Sequence, residues 1–185
     1  LEVEQRETNG QMWYFKYPVE DQDGVFITVG TTRPETMLGD TGVAVHPDDE
    51  RFKELIGKSC ILPIVGRKIP IVSDEYADPE KGSGAVKITP AHDFNDFEVG
   101  RRNKLKLVNV FDGNACLNDN VPEAYRGMDR FVARDKVVAE MESLGLLEKI
   151  EDNAMTIPYG DRSGVVIEPW LMDQWFVDAQ QLAGP

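Results

Sequence analysis

Apolar and polar positions change period several times along the chain, and each change marks a short element. Residues 12–17 and 25–29 are aromatic and β-branched runs separated by a polar, glycine-containing stretch at 20–24, which predicts a β-hairpin. Residues 41–46 read as a further short strand. Pro47 at a first helical position, acids at Asp48, Asp49 and Glu50, apolar Phe52, Leu55 and Ile56, and Gly57 just beyond predict a short capped helix. Residues 59–64 and 68–72, joined through a turn at 65–67, predict a second hairpin. A polar loop at 76–82 then feeds an apolar strand at 85–89.

Asp93 is placed to cap a helix that runs to about Arg102, with Asp96 in its first turn. Residues 105–111 predict a strand that ends at an Asp112–Gly113 turn. The clearest helix covers 129–144, where Ala133, Val137, Val138, Met141 and Leu144 share a face and Gly145 supplies the stop. Strand-like pieces follow at 147–150, 155–159 and 165–168, and no internal repeat is present. This pattern predicts a β-rich α+β fold with a barrel-like core of short strands and peripheral helices.

Composition narrows the function. The chain has 185 residues, 41% of them hydrophobic, with 33 acidic against 20 basic side chains for a net charge of −13, which fits one globular domain. No window approaches the length of a membrane span, and the start LEVEQRETNG has neither a basic nor an apolar leader region, so a cytoplasmic location is expected. Cys60 and Cys116 are far apart and the only histidines are His46 and His92, which predicts reduced structural thiols and no metal site. The acidic balance argues against sequence-independent nucleic-acid binding, since affinity for phosphate comes from clustered lysine and arginine. A nucleic-acid partner would be touched only at its end, or be delivered by another domain. The absence of a leading Met and the stop at QQLAGP read as a piece excised from something larger, with Trp170 and Trp175 packing at a junction with missing domains.

There is no GxGxxG, no GxxxxGKS/T, no GxSxG and no HExxH, so dinucleotide, P-loop, serine-hydrolase and zincin chemistry lack their key parts. Two polar segments attached to strand ends carry the candidate chemistry. In TTRPETMLGD, residues 31–40, Thr31, Thr32, Arg33, Glu35 and Thr36 concentrate donors and acceptors on one turn. They either wall a pocket for a polar ligand, with Arg33 meeting a phosphate or carboxylate, or satisfy the turn's own backbone. In GSGAVKITPAHDFNDFEVG, residues 82–100, Lys87 and Thr89 alternate with Val86 and Ile88 and so share a strand face. Asp93 is explained by capping. Asp96 is less so, and its carboxylate could hold a cation such as an α-ammonium. His92 is either a general base or a histidine held by loop hydrogen bonds; His46 is structural, and the aromatic run from Trp13 to Tyr17 is core.

These two segments together, TTRPETMLGDTGVAVHPDD and GSGAVKITPAHDFNDFEVG, resemble the editing domain inserted in the catalytic domain of valyl-tRNA synthetases, of the class I aminoacyl-tRNA synthetase family. Leucyl and isoleucyl relatives carry similar segments, while the later DRSGVVIEPWLMDQWFV is similar to the return towards the synthetic core. The resemblance implies a single editing domain over 1–185, with the return segment at about 160–185. It also implies an aminoacyl-tRNA deacylase that hydrolyses threonine wrongly attached to tRNA(Val), because an apolar pocket discriminates weakly against an isostere that adds a hydroxyl.

Carried over by residue, the resemblance implies that Asp96 anchors the substrate α-ammonium, with Lys87 and Thr89 beside it at the catalytic centre. Thr31, Thr32, Thr36, Asp93 and His92 line the pocket and Arg33 faces the tRNA terminus. Lys81 departs from relatives that carry an aromatic residue before the GxG, so a contact there would be electrostatic. No residue makes a convincing covalent nucleophile, which leaves attack by an oriented water. The implied partners are the aminoacylated 3′ end of tRNA(Val) and the rest of the synthetase, with no membrane; the domain alone is expected to be monomeric. No cofactor is implied here, ATP and Mg being used by the synthetic domain. Alternatives are a non-catalytic module that positions the tRNA acceptor end, or an editing domain of leucyl or isoleucyl type.

Overall fold

The computed structural model describes residues 2–173 and 177. Among the described residues seven strands form two sheets. The first is antiparallel with order β2-β1-β7, from β1 (Val3–Pro18), β2 (Phe26–Thr31) and β7 (Leu147–Gly160). The second has order β4-β5-β3-β6, from β3 (Gly42–Val45), β4 (Ser59–Ile61), β5 (Lys68–Ser73) and β6 (Ala85–Ile88). In it β3 runs parallel to β5, while β6 and β4 are antiparallel to their neighbours. The β-rich α+β class is as expected, but the strands make two open sheets and no closed barrel among the described residues. The bridge Val19 to Cys60 joins them.

Strand alternation explains the layers. Val43 and Val45 face one side of the second sheet and join Phe15, Tyr17, Ile27, Val29, Ile69 and Ile71 in the main core. Ala44 and Ile88 face the other side, where α1 (Phe94–Arg102) covers them with Val99. Helix α2 (Arg130–Ser143) closes the main core with Ala133, Val137 and Met141, capped by Asp129 onto the Phe131 N–H and stopped by Gly145 in the left-handed region, φ 69°. No described helix is long and apolar enough to cross a membrane.

Three elements depart from the sequence pattern. The helix expected after Pro47 is a series of turns ending in a short 3₁₀ helix, Lys53–Leu55, because the backbone bonds from Asp49, Phe52 and Leu55 each span three residues. The apolar run 105–110 is irregular: its polar groups bond side chains instead of a strand, as when Val110 N–H donates to His92 Nε2 and Asn118 Nδ2 donates to the Asn109 carbonyl. The pieces at 147–150 and 155–159 are one continuous strand, and that at 165–168 makes only the bridge Val166 to Tyr159. Cys60 and Cys116 are both free, and burial pushes the Cys60 thiol up to about 12. Of the two tryptophans expected at a junction with missing domains, Trp175 lies outside the described residues, and Trp170 donates its indole N–H to the Phe111 carbonyl at 3.3 Å.

A cleft built from two loops

Both candidate segments meet at the end of β2 and β6. After Thr31 the chain enters a fully buried 3₁₀ helix, Pro34–Gly39, led by Pro34 at its first position. After Ile88 it turns into α1, whose cap Asp93 accepts from the N–H groups of Asn95 and Asp96 at 2.8 and 3.1 Å. Between them lies a cleft of about 200 Å³ lined by Thr31, Thr32, Thr36, Lys87, Thr89 and Asp96, together with Arg33, His92, Asp93, Met12 and Tyr76. Gly39 lets the 108–110 segment pack tightly against this turn, since a Cβ there would sit 2.9 Å from the Val108 carbonyl oxygen.

The floor is a polar network centred on Asp40, a fully buried residue that the sequence reading did not single out. Asp40 Oδ2 accepts from the Tyr17 hydroxyl at 2.7 Å, and Oδ1 accepts from the Thr89 hydroxyl at 2.6 Å and from Lys87 Nζ at 3.0 Å. Lys87 also donates to Thr36 Oγ1 at 3.1 Å and to Thr89 Oγ1. An ammonium has three hydrogens, so every donor of Lys87 is used inside the protein. Thr89 gives its hydrogen to Asp40, and Thr36 gives its own to the Arg33 carbonyl at 2.9 Å. A signal for Asp40 was present: a lone acid at the end of the otherwise apolar run Met37–Leu38–Gly39 must find partners if it is buried.

What the cleft still offers follows from this accounting. Asp96 is 6% exposed; one of its oxygens accepts the Thr89 N–H at 2.9 Å and the other has no protein partner among the described residues. Burial pushes its carboxyl up to about 7, with Asp93 and Asp40 adding to the rise and Lys87 and the Thr89 N–H opposing it. Thr31 Oγ1 accepts the Arg33 N–H at 3.0 Å, so its own hydrogen is left to donate. Thr32 makes no side-chain hydrogen bond among the described residues. Tyr76, which sequence reasoning placed in a plain polar loop, keeps its phenol protonated, pushed up to about 12 by burial and by Asp96 and Asp93. An aromatic residue in the acid-rich stretch SDEYADP is a weak signal for that position.

Two of the expected site residues also hold the loops in place. The His92 ring is fully buried: its Nε2 accepts the Val110 N–H at 2.9 Å, it packs edge-on against Phe111, and burial with Arg33 drives its basicity down to about 3. His92 is nonetheless among the residues that line the cleft, and its Nδ1 has no hydrogen-bond partner among the described residues. Arg33, which also lines the cleft, donates from Nη1 to the His92 carbonyl at 2.8 Å and lies 3.0 Å from Glu168, so it ties the two loops together. Asp93 serves as the cap. Lys81 reaches only Asp78, at 3.2 Å, and points to solvent.

Comparison with known proteins gives the family context. A family model described as the leucyl-tRNA synthetase editing domain matches residues 50–154. The chain is 59% identical over 204 residues to a valine–tRNA ligase of Caulobacter vibrioides and 56% identical over 208 residues to one of Mesorhizobium japonicum. Each of these alignments takes in all of this chain and 22% of the relative, so the chain spans about a fifth of their length. A solved leucyl-tRNA synthetase of Agrobacterium radiobacter K84, in a ternary complex with tRNA and LeuAMS, shares the fold with a TM-score of 0.60 at 20% identity, over 88% of this chain and 24% of that one.

Proposed function

Since the chain belongs to the aminoacyl-tRNA synthetase editing domains, of the valyl type, we propose that its cleft hydrolyses the ester of threonyl-tRNA(Val). The observation that carries this reading is the free oxygen of Asp96 above a floor of threonine hydroxyls. A carboxylate there takes the α-ammonium common to every aminoacyl ester. The hydroxyl-rich surroundings favour a threonine side chain and leave a valine methyl facing unpaired polar groups, each worth about 1–3 kcal/mol.

Chemistry proceeds by water. The water oxygen bonds to the ester carbonyl carbon, the bond to the ribose oxygen breaks, and the ribose oxygen leaves with a proton. Lys87 stays a bound ammonium, and the hydrogens of Thr36 and Thr89 are committed, so none of these is a nucleophile. They act by holding the floor rigid and by a positive field beside the carbonyl where negative charge develops. The partner is the 3′ end of tRNA(Val), brought by the remainder of a cytoplasmic synthetase whose ATP and Mg chemistry lies elsewhere. With a net charge of −13 this chain depends on that delivery.

Calorimetric titration with a non-hydrolysable threonyl-adenosine analogue, its valyl counterpart, and Asp96→Ala tests the reading. The threonyl compound alone binds, and the variant loses it. Equal binding of both, or of neither, overturns the threonine assignment and favours a module that only positions the acceptor end.

A further inference from the structure

Residues 165–171 cross the back of the cleft as a strap, held at several points. Ile167 N–H donates to the Pro158 carbonyl at 2.8 Å, Leu171 N–H to the Ala91 carbonyl at 3.0 Å, and Arg130 Nη2 to the Val166 carbonyl at 3.1 Å. Its one acidic side chain, Glu168, points into a cluster of three arginines. Oε2 lies 2.9 Å from Arg130 Nη1 and 3.0 Å from Arg33 Nη2, and Oε1 lies 3.9 Å from Arg134 Nη2. A second acid in the cluster, Glu35, is engaged by Arg134 through two bonds of 2.7 and 2.8 Å.

Arg33 is the weak member of this cluster and the important one. Its Nη1 bonds the His92 carbonyl and thereby ties the loop bearing Thr31 and Thr32 to the loop bearing Asp93 and Asp96. Its Nε and Nη2 are buried without a well-formed hydrogen bond, and Glu35 stands 3.7 Å away. The charge that keeps this guanidinium inside is therefore that of Glu168. Remove it, and a buried cation faces two other arginines with one already occupied carboxylate; the side chain gains by swinging to water and releasing His92.

We propose that Glu168 is a positioning residue for the cleft: acting through Arg33, it sets the distance between the threonine wall and the Asp96 edge. The inference rests on the hydrolytic reading above for its consequence, though not for its geometry. It explains why a residue 72 positions beyond Asp96 carries the charge that joins the two motifs. It also gives the strap a task at the site.

The test compares the 185-residue chain with Glu168→Gln and Glu168→Asp, reading analogue affinity by calorimetry and backbone amide shifts by NMR. In Glu168→Gln, which keeps the shape and loses the charge, affinity for the threonyl analogue falls at least about tenfold. The amides of Arg33 and Asp93 shift while those of Val43 and Ile71 stay in place. Glu168→Asp, still charged, keeps most of the affinity. Unchanged loop amides in Glu168→Gln, or a Glu168→Asp as impaired as Glu168→Gln, overturn the assignment. Should the unaltered chain bind no analogue, the hydrolytic reading fails and the amide shifts alone decide the positioning role. Should Glu168→Gln not fold, Glu168→Asp decides: shifts confined to the two loops support the role, and shifts spread through both sheets overturn it.

Discussion

The backbone N–H of Thr89 donates to Asp96 across 2.9 Å, so the strand end that carries the polar floor and the helix that carries the free carboxylate are fastened at the carboxylate itself. One oxygen is structural and the other is open. Burial raises the carboxyl to about 7, which makes the charge of the open oxygen depend on pH in the neutral range.

Binding of an ammonium ligand therefore strengthens with pH. Between pH 6 and 7.5 the ionised fraction of Asp96 rises roughly eightfold, and the affinity of the threonyl analogue follows it, because only the carboxylate attracts the ammonium. Calorimetry at several pH values checks this; an affinity independent of pH rules out Asp96 as the anchor.

Stability carries opposite signatures from Asp96 and His92. Between pH 4 and 7 the folded protein keeps a proton on Asp96 that the unfolded chain releases, so this group lowers stability as pH rises. His92, driven down to about 3, stays neutral where the unfolded imidazole protonates, so it lowers stability as pH falls from 6.5 towards 3. The two offset each other over much of the acid range. Asp96→Asn unmasks His92, giving a stability that drops from pH 6.5 to 4.5, and it is more stable than the parent at pH 8 by on the order of 3 kcal/mol. His92→Gln, whose amide oxygen still accepts from Val110, shows the reverse slope. Urea midpoints at pH 4.5, 6.5 and 8 read all three proteins.

The buried pair of Lys87 and Asp40 is coupled. Lys87→Met leaves Asp40 buried with only hydroxyl partners and costs about 3 kcal/mol, since a buried charge has lost its counter-charge. The double variant Lys87→Met, Asp40→Leu is less destabilised than the sum of its parts. Additive losses in chemical denaturation would show that the pair does not interact.

Gly39 is fixed by space. In Gly39→Ala the new methyl meets the Val108 carbonyl oxygen at 2.9 Å and Val110 Cγ1 at 3.0 Å; one of these is backbone, which cannot give way cheaply. A loss of about 1–3 kcal/mol is expected, with weaker analogue binding because the floor residue Asp40 is the next in the chain. A thermal midpoint equal to the parent's would refute the packing argument.

Local chemistry was legible where it is self-contained. Asp93 as a cap, the α2 face at Ala133, Val137 and Met141, though not at the exposed Leu144, and the shared face of Lys87 and Thr89 follow from spacing of a few residues, and the structure has them. The outer half of β1 was not legible. Residues 3–10 pair with β7 about 150 positions away and are exposed on most positions of both faces, so no hydrophobic alternation records them. Residues 105–110 misled in the other direction, since their apolar side chains resemble a strand while side chains of distant loops take up their backbone bonds.

By itself, then, the sequence determined the β-rich class, the two motif loops and the residue types gathered on them, because short-range periodicity, capping and turn chemistry are encoded within a few positions. The tertiary structure decided which of those residues face the cleft. Arg33 and His92 were tied between the loops and Asp40 and Glu168 drawn in, because a buried polar group must be paired, and its partners come from strands, helices and a strap far away in the chain.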